Sequence, residues 1–410
     1  MKKYLWIVAV LVVAALVVLG IIYREPLVLR VTGMRPFVEE RFGGWVEAGA
    51  DEQELDAALR RVHDPLGSGP GSWVYELSQP AAEHEAAARE AEAANDTATA
   101  AQEYQKAAVF YFVARFPFVS TPAKAEAYRK HIECYLEAAK YFDPPLEQVR
   151  IPFEGKTIIG YLRVPDVGEP PVVIVTGGVD TWKSDVERQC QAMLAEGMAV
   201  FAFDMPGTGE SQWALDPTSD RVYGAVVEYL KARGDLDGEN IGVYLQSFAG
   251  LFAVKLALVD PDVKAAVNIG GPIHLAFTPE HIKKVPDVMV KTIANAMRED
   301  LDASFEETVS RAKPMSLGEQ GLLKKPERQA ALLSINGDQD PLVPIEDLYI
   351  ISKSGIQQDE WVYAGDGHCA PDNLKEHAPK AASWLKAHLA KPEKAPSAVE
   401  LESGEAQEAQ

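Results

Sequence analysis

The chain has 410 residues, 47% of them hydrophobic and 25% charged, enough to bury a full core and to hold more than one domain. Its formal net charge is -21 and its pI about 4.9. Without basic surface to neutralise phosphates, nucleic acid is excluded as the expected partner, and the acidity reads as a solvated surface. The three cysteines, Cys134, Cys190 and Cys369, include no C-x-x-C pair. They offer neither a disulfide framework nor a zinc site and are expected to be small buried hydrophobes.

Tyr4 to Tyr23 form an uninterrupted apolar run, preceded by Lys2 and Lys3 and followed by Arg24. About twenty apolar residues span a bilayer core, whereas signal-peptide apolar regions are shorter. No A-x-A-like cleavage site and no lipid-accepting cysteine follow the run. Residues 1–23 are therefore expected to be an uncleaved transmembrane anchor rather than a buried core helix. Lys2, Lys3 and the terminal amine favour a cytoplasmic N-terminus, while Arg24, Arg30, Arg35 and Arg41 lie on the other flank. Because large domains translocate largely regardless of charge, the expectation leans to a single-pass protein with an exported catalytic part.

Residues 24–72 read as a juxtamembrane segment, with a short helix at Glu52 to Val62 and a breaker-rich loop from Asp64 to Gly71. From Trp73 the sequence turns alanine- and glutamate-rich with helical spacing. Tyr104, Ala107, Ala108 and Tyr111 share one face, and Tyr128, Ile132, Tyr135 and Leu136 another, with Pro117 and Pro122 between them. Residues 73–145 are predicted to be a helical domain whose tyrosines pack in its core.

After Pro144-Pro145 the pattern changes to strands. A hairpin is expected around Glu154-Gly155, joining Val149 to Phe153 with Thr157 to Val164. Strand and helix then alternate, as in a mostly parallel doubly wound sheet of the α/β class. The strands fall at 172–176, 199–204, 241–245, 265–269, 331–335 and 361–363, and a last helix runs to Leu389. A charged, helical stretch from Gly271 to about Lys325 interrupts the alternation. Residues 146–390 form the predicted catalytic domain. The tail 391–410, rich in Pro, Glu, Ala and Gln, is expected to be disordered.

Strand 241–245 runs into Gln246-Ser247-Phe248-Ala249-Gly250 and then a helix. Strand, sharp turn and helix is the setting of a nucleophile elbow, usually G-x-S-x-G. Here Leu245 and Ala249 replace the two glycines, so the segment alone fits a catalytic serine or an ordinary strand-to-helix turn. Two downstream loops bear on the choice. One follows strand 331–335 and carries Asp338 and Asp340; the other, Gly365-Asp366-Gly367-His368, follows the last strand. Serine, acid and histidine in that order, each at a strand's carboxyl end, match the α/β-hydrolase arrangement. Serine is a weak nucleophile at neutral pH, so His368 is expected to take the Ser247 proton, with Asp340 or its rival Asp338 holding the imidazole. The developing oxyanion needs preorganised donors. These are expected from the Phe248 amide and from the loop Thr176-Gly177-Gly178-Val179-Asp180, at Gly178 and Val179. The motif Asp204-Met205-Pro206-Gly207-Thr208-Gly209-Glu210-Ser211 is expected to shape a turn beside the site.

With these motifs in place, the chain from Trp73 to Leu389 resembles the α/β-hydrolases related to 2,6-dihydroxypseudooxynicotine hydrolase and the fermentation–respiration switch esterases. The resemblance is carried by the helical stretch Ala98 to Pro117, the lead-in Val149 to Phe153, the Gly177-Gly178-Val179-Asp180 loop and the triad positions Ser247, Asp340 and His368. Asp340 stands immediately before Pro341-Leu342-Val343-Pro344, where the family's acid falls. The resemblance implies an N-terminal helical cap closing over the site. It also implies hydrolysis of a small-molecule ester, or of a carbon–carbon bond beside a carbonyl as in a diketone, with no metal or organic cofactor. A homodimer is compatible with the chain. The other function class is a catalytically weak, membrane-anchored binding scaffold, for which only the bulky Leu245 speaks.

Overall fold

Helix starts in the N-terminal part are set by single side chains. The computed structural model describes residues 38–324 and 330–390, with Leu29 and residues 33–35. Its first helix, α1 (Glu39–Glu47), has no side-chain cap. Before α2 (Glu52–Arg61), α3 (Trp73–Ala93), α4 (Thr97–Arg115) and α5 (Pro122–Ala139), Asp51, Ser72, Asp96 and Thr121 each accept a hydrogen bond from a first-turn amide. Those amides have no acceptor within the helix, and the caps supply one. The apolar faces of all five helices bury Trp45, Leu55, Leu59, Trp73, Tyr104, Tyr111 and Tyr135 in one cluster. Trp45 meets Trp73 edge to face at 5.9 Å.

The expected juxtamembrane segment 24–72 is thereby corrected for its described residues 38–72. Phe42, Trp45, Leu55 and Leu59 are too apolar to stay solvated, so α1 and α2 belong to the helical layer. The apolar run 4–23 and the tail 391–410 lie outside the described residues. Among the described residues no helix is long and apolar enough to cross a membrane.

The sheet begins with the expected hairpin, β1 (Leu146–Phe153) against β2 (Lys156–Arg163). Its two turn residues, Glu154 and Gly155, both lie at positive φ, as a two-residue turn matched to the twist of the strands requires. The chain continues through β3 (Pro171–Thr176), α6 (Glu187–Ala195), β4 (Ala199–Phe203), α7 (Asp220–Lys231), β5 (Asp237–Gln246), α8 (Gly250–Val259) and β6 (Val263–Ile269). An insertion follows with α9 (Pro279–Ile282), α10 (Asp287–Ala296) and α11 (Phe305–Ala312). The last elements are β7 (Ala331–Gly337), α12 (Glu346–Lys353), β8 (Asp359–Tyr363) and α13 (Leu374–Leu389).

The eight strands are ordered β1-β2-β4-β3-β5-β6-β7-β8. β2 pairs antiparallel with both β1 and β4, and every other pair is parallel. β3 and β4 are apolar nearly throughout because helices cover both their faces. On one face Val226, Leu230, Phe252 and Leu256 pack against Ile174 and Val243. On the other, Cys190, Met193, Leu385 and Leu389 pack against Val173 and Val267. All three cysteines are free and buried, as their scatter predicts. The insertion is pinned at its start by Asp347 of α12, whose carboxylate accepts hydrogen bonds from the amides of Ile273, His274, Leu275 and Ala276.

Candidate active site

β5 delivers Ser247 at a turn that few side chains tolerate. Its φ is +56°, a left-handed conformation that costs a non-glycine residue on the order of 1–3 kcal/mol and is held only where its surroundings enforce it. Ser247 itself opens a single 3₁₀ turn, Ser247–Ala249, that leads into α8. Space here is short on two sides. A Cβ on Gly250 would lie 2.3 Å from Asn268 Oδ1, and one on Gly178 would lie 2.6 Å from Ser247 Cβ. The glycines that this elbow needs are therefore Gly178 and Gly250. Leu245 is fully buried among the residues of the sheet's core, and Ala249 is equally buried. The departures from G-x-S-x-G thus fill space rather than block the turn.

Ser247 Oγ stands 2.8 Å from His368 Nε2, and His368 Nδ1 stands 2.7 Å from Asp340 Oδ2. Asp340, in the loop after β7, has a fully buried carboxylate. Its Oδ1 accepts from the amides of Leu342 and Val343 at 2.7 and 3.0 Å, and its Oδ2 also accepts from Asn336 Nδ2 at 2.8 Å. Asp338, the rival acid, serves its own loop instead, accepting from the Gly365 amide at 2.7 Å and from Gln339.

Burial raises the Asp340 pKa, but the His368 charge and hydrogen bond, Asn336 and the Val343 amide outweigh it and leave the carboxyl below the ordinary aspartate value. For His368, burial works downward. The Cys369 thiol and the Asp340 carboxylate work upward and prevail, placing the ring well above an ordinary imidazole.

Gly178 lies beside Ser247, and Val179 lines the same pocket. The position a Cβ on Gly178 would take is 3.3 Å from the Phe248 nitrogen, so this loop and the Phe248 amide converge on one spot. What holds the loop has no counterpart in the sequence motifs. Arg115, at the end of α4 and wholly buried, ion-pairs with Asp185 and donates to the Asp180 carbonyl at 2.8 Å. Its guanidinium lies over the Trp182 ring at 3.6 Å. His131 of α5 joins through Ser184 Oγ at 2.6 Å and Asp185 Oδ1 at 3.1 Å. Arg41 adds an ion pair to Asp180 at 3.0 Å. No local pattern marks these residues, because their partners lie as many as 139 positions away (180 − 41).

The motif beginning at Asp204 also has a structural part. Asp204 pairs with the buried Lys183 at 2.6 Å and accepts from the Glu210 amide.

A cavity of about 80 Å³ opens on Ser247 and His368. Its other walls are Phe248, Val179, Leu342, Val343 and the insertion, including Phe277, Met289, Ile293, Met297 and Met315. No residue of 73–145 lines it. This corrects the expected cap. The N-terminal helices brace the Gly178–Val179 loop from behind, while the segment interrupting the strand–helix alternation covers the pocket. Among the described residues no group of His, Cys, Asp or Glu is arranged to hold a metal ion.

A sheet of this order, with serine, acid and histidine at the carboxyl ends of β5, β7 and β8, defines an α/β-hydrolase. The family model described as FrsA-like, "Esterase FrsA-like", matches residues 49–389, and the chain belongs to that family of hydrolase enzymes. Similar curated proteins include Esterase FrsA of Photobacterium profundum, 27% identical over 329 residues, covering 76% of this chain and 78% of that one. Esterase FrsA of Yersinia pestis (strain Pestoides F) is 28% identical over 333 residues, covering 76% and 79%. Among solved structures, 2,6-dihydroxy-pseudo-oxynicotine hydrolase superposes with a TM-score of 0.73 at 21% identity, covering 85% of this chain and 95% of that one. Wild-type AbyA5 gives 0.66 at 23%, covering 85% and 97%.

Proposed function

We propose that this hydrolase is a serine esterase in which Ser247 attacks the carbonyl of a small-molecule ester. The observation that carries the proposal is the unbroken chain from Ser247 Oγ through His368 to Asp340. His368 Nε2 takes the serine proton as the Oγ–carbon bond forms, and Asp340 holds the ring and stabilises its charged form. The amides of Phe248 and Val179 receive the oxyanion. On collapse of the tetrahedral intermediate, His368 gives its proton to the departing alcohol. Water, deprotonated by His368, then attacks the acyl-enzyme, and the acid leaves with Ser247 restored. The family supports an ester over a carbon–carbon bond, and the intact hydrogen-bond chain supports turnover over a binding scaffold.

The test is covalent labelling. A fluorophosphonate probe is expected to modify Ser247 and to lose its site in Ser247→Ala. Labelling of another serine, found by mass spectrometry in that variant, would refute the assignment.

The anchor is a second part of the proposal. It is supported by the apolar run 4–23 with its flanking Lys2, Lys3 and Arg24. The full chain is expected to sediment with membranes and to resist carbonate, and protease protection of spheroplasts reads which side the enzyme faces. Release by carbonate would remove the anchor and leave the esterase reading untouched.

A further inference from the structure

The insertion between β6 and β7 turns one apolar face of α10 toward the cavity. Met289, Val290, Ile293, Ala294 and Met297 recur at helical spacing across α10 and the residue after it, and all of them line the space that opens on Ser247 and His368. Ala312 and Met315 line it from the α11 side. Phe277, edge to face with Phe248 at 6.0 Å, ties the insertion to the turn after the serine. Among the described residues, the only polar side chains in the lining beyond Ser247 and His368 are Glu299 and Thr308. Glu299 is already ion-paired with Arg311 at 3.3 Å.

A charged group entering such a cavity would lose its water, and the Arg311 beside it is already paired with Glu299. A methylene chain would exchange water for apolar contacts, and the unbranched methionines adapt to its bends. We propose that this cavity binds an uncharged aliphatic chain of the ester, and that the insertion measures the length of that chain. The inference rests on the esterase reading of Ser247 and names the substrate class for it.

Two series of esters test it on the full chain, with active sites counted by fluorophosphonate titration. One lengthens the acyl group on a constant p-nitrophenol; the other lengthens the alcohol on a constant acetate. Burial of a methylene is worth about 0.8 kcal/mol, which is about fourfold at 1.36 kcal/mol per decade. kcat/KM is therefore expected to climb about fourfold per methylene in one series until the cavity fills, and that series identifies which half of the ester enters. A carboxylate at the end of the same chain is expected to lower kcat/KM by about a hundredfold. Ala294→Trp is expected to cut the decanoate-to-acetate ratio by at least about tenfold. Met297→Ala, which enlarges the cavity, is expected to move the optimum to longer chains and serves if the tryptophan variant does not fold. Flat length dependence in both series, with Ser247 labelled and acetate esters hydrolysed, overturns the chain site and leaves the esterase reading standing. No labelling and no acetate hydrolysis overturns the esterase reading, and this inference with it.

Discussion

Asn336 and Asp340 meet side chain to side chain, the Asn336 amide donating at 2.8 Å to the same Asp340 oxygen that faces His368. The Asn336 carbonyl oxygen in turn accepts from the Cys369 amide at 2.9 Å. One buried residue on β7 therefore fixes both the acid and the loop carrying the histidine. Asn336→Leu is expected to lower kcat on the order of tenfold, from the loss of one buried hydrogen bond to a charged group, with KM nearly unchanged. An unaltered kcat would mean that the Leu342 and Val343 amides hold the acid without it.

The two aspartates of this loop should separate cleanly. Asp340→Asn is expected to reduce kcat by about 10⁴, the precedent being loss of the histidine's tautomer control in serine proteases. Asp338→Asn touches only the Gly365 amide and Gln339 and is expected to stay within about threefold, a loss of one exposed loop contact. Equal losses in the two variants would show that the loop moves as one piece and that the acid is misassigned.

The pH profile follows from the shifted histidine. His368 accepts a proton only when neutral, and its pKa is raised well above the ordinary imidazole value. Activity is therefore lost as pH falls through that raised pKa, and kcat/KM is expected to rise with pH to an inflection above 6.5. Asp340→Asn removes a carboxylate that pulls the pKa up, so the residual activity is expected to inflect at lower pH. A wild-type inflection below 6.5 would contradict the arrangement.

Leu245→Gly tests whether the unusual elbow is a defect. The leucine is fully buried in the core, so its removal leaves a cavity. The change is expected to cost about 2–5 kcal/mol of stability, read by urea unfolding, with no gain in turnover per folded enzyme. A faster, equally stable variant would show that the leucine restrains the serine.

Arg115 and Asp185 carry a stability prediction. Arg115→Met leaves the Asp185 charge buried without its main partner and is expected to cost about 3–5 kcal/mol. Adding Asp185→Leu should recover much of that loss, because a buried pair replaced by apolar groups is often neutral. Failure of the second change to recover stability would locate the loss in the Asp180 carbonyl contact instead.

The sheet and the chain order of Ser247, Asp340 and His368 were legible because each depends on a local signal. Alternation of strand and helix, a turn pair at Glu154-Gly155 and Gly-rich loops after strands all act over a few residues. Asp340 was separable from Asp338 only by its position before Pro341; in the structure it is Asp340 that meets His368, while Asp338 accepts from the Gly365 amide. The pocket's cover was assigned to the wrong segment. Residues 73–142 carry the stronger helical and aromatic pattern, yet that pattern reports burial alone, and their faces are spent on one another. The weaker pattern of Met289, Ile293 and Met297 lies beside Ser247 only because the β6–β7 crossover returns there. Arg115 and Asn336 gave no signal, since a buried polar residue is defined by partners that folding brings from far along the chain.

Because the helical layer holds the Gly177–Ser184 loop beside Ser247, while α10 and α11 face the cavity directly, sequence drift has two separate routes into this enzyme. Substitutions between Gly271 and Lys324 can retune what is accepted without disturbing Arg115, Asp185 or the loop they hold. Those at Arg115 or His131 reach the chemistry by moving that loop, so an exchange of the insertion between relatives is the natural way to transplant selectivity.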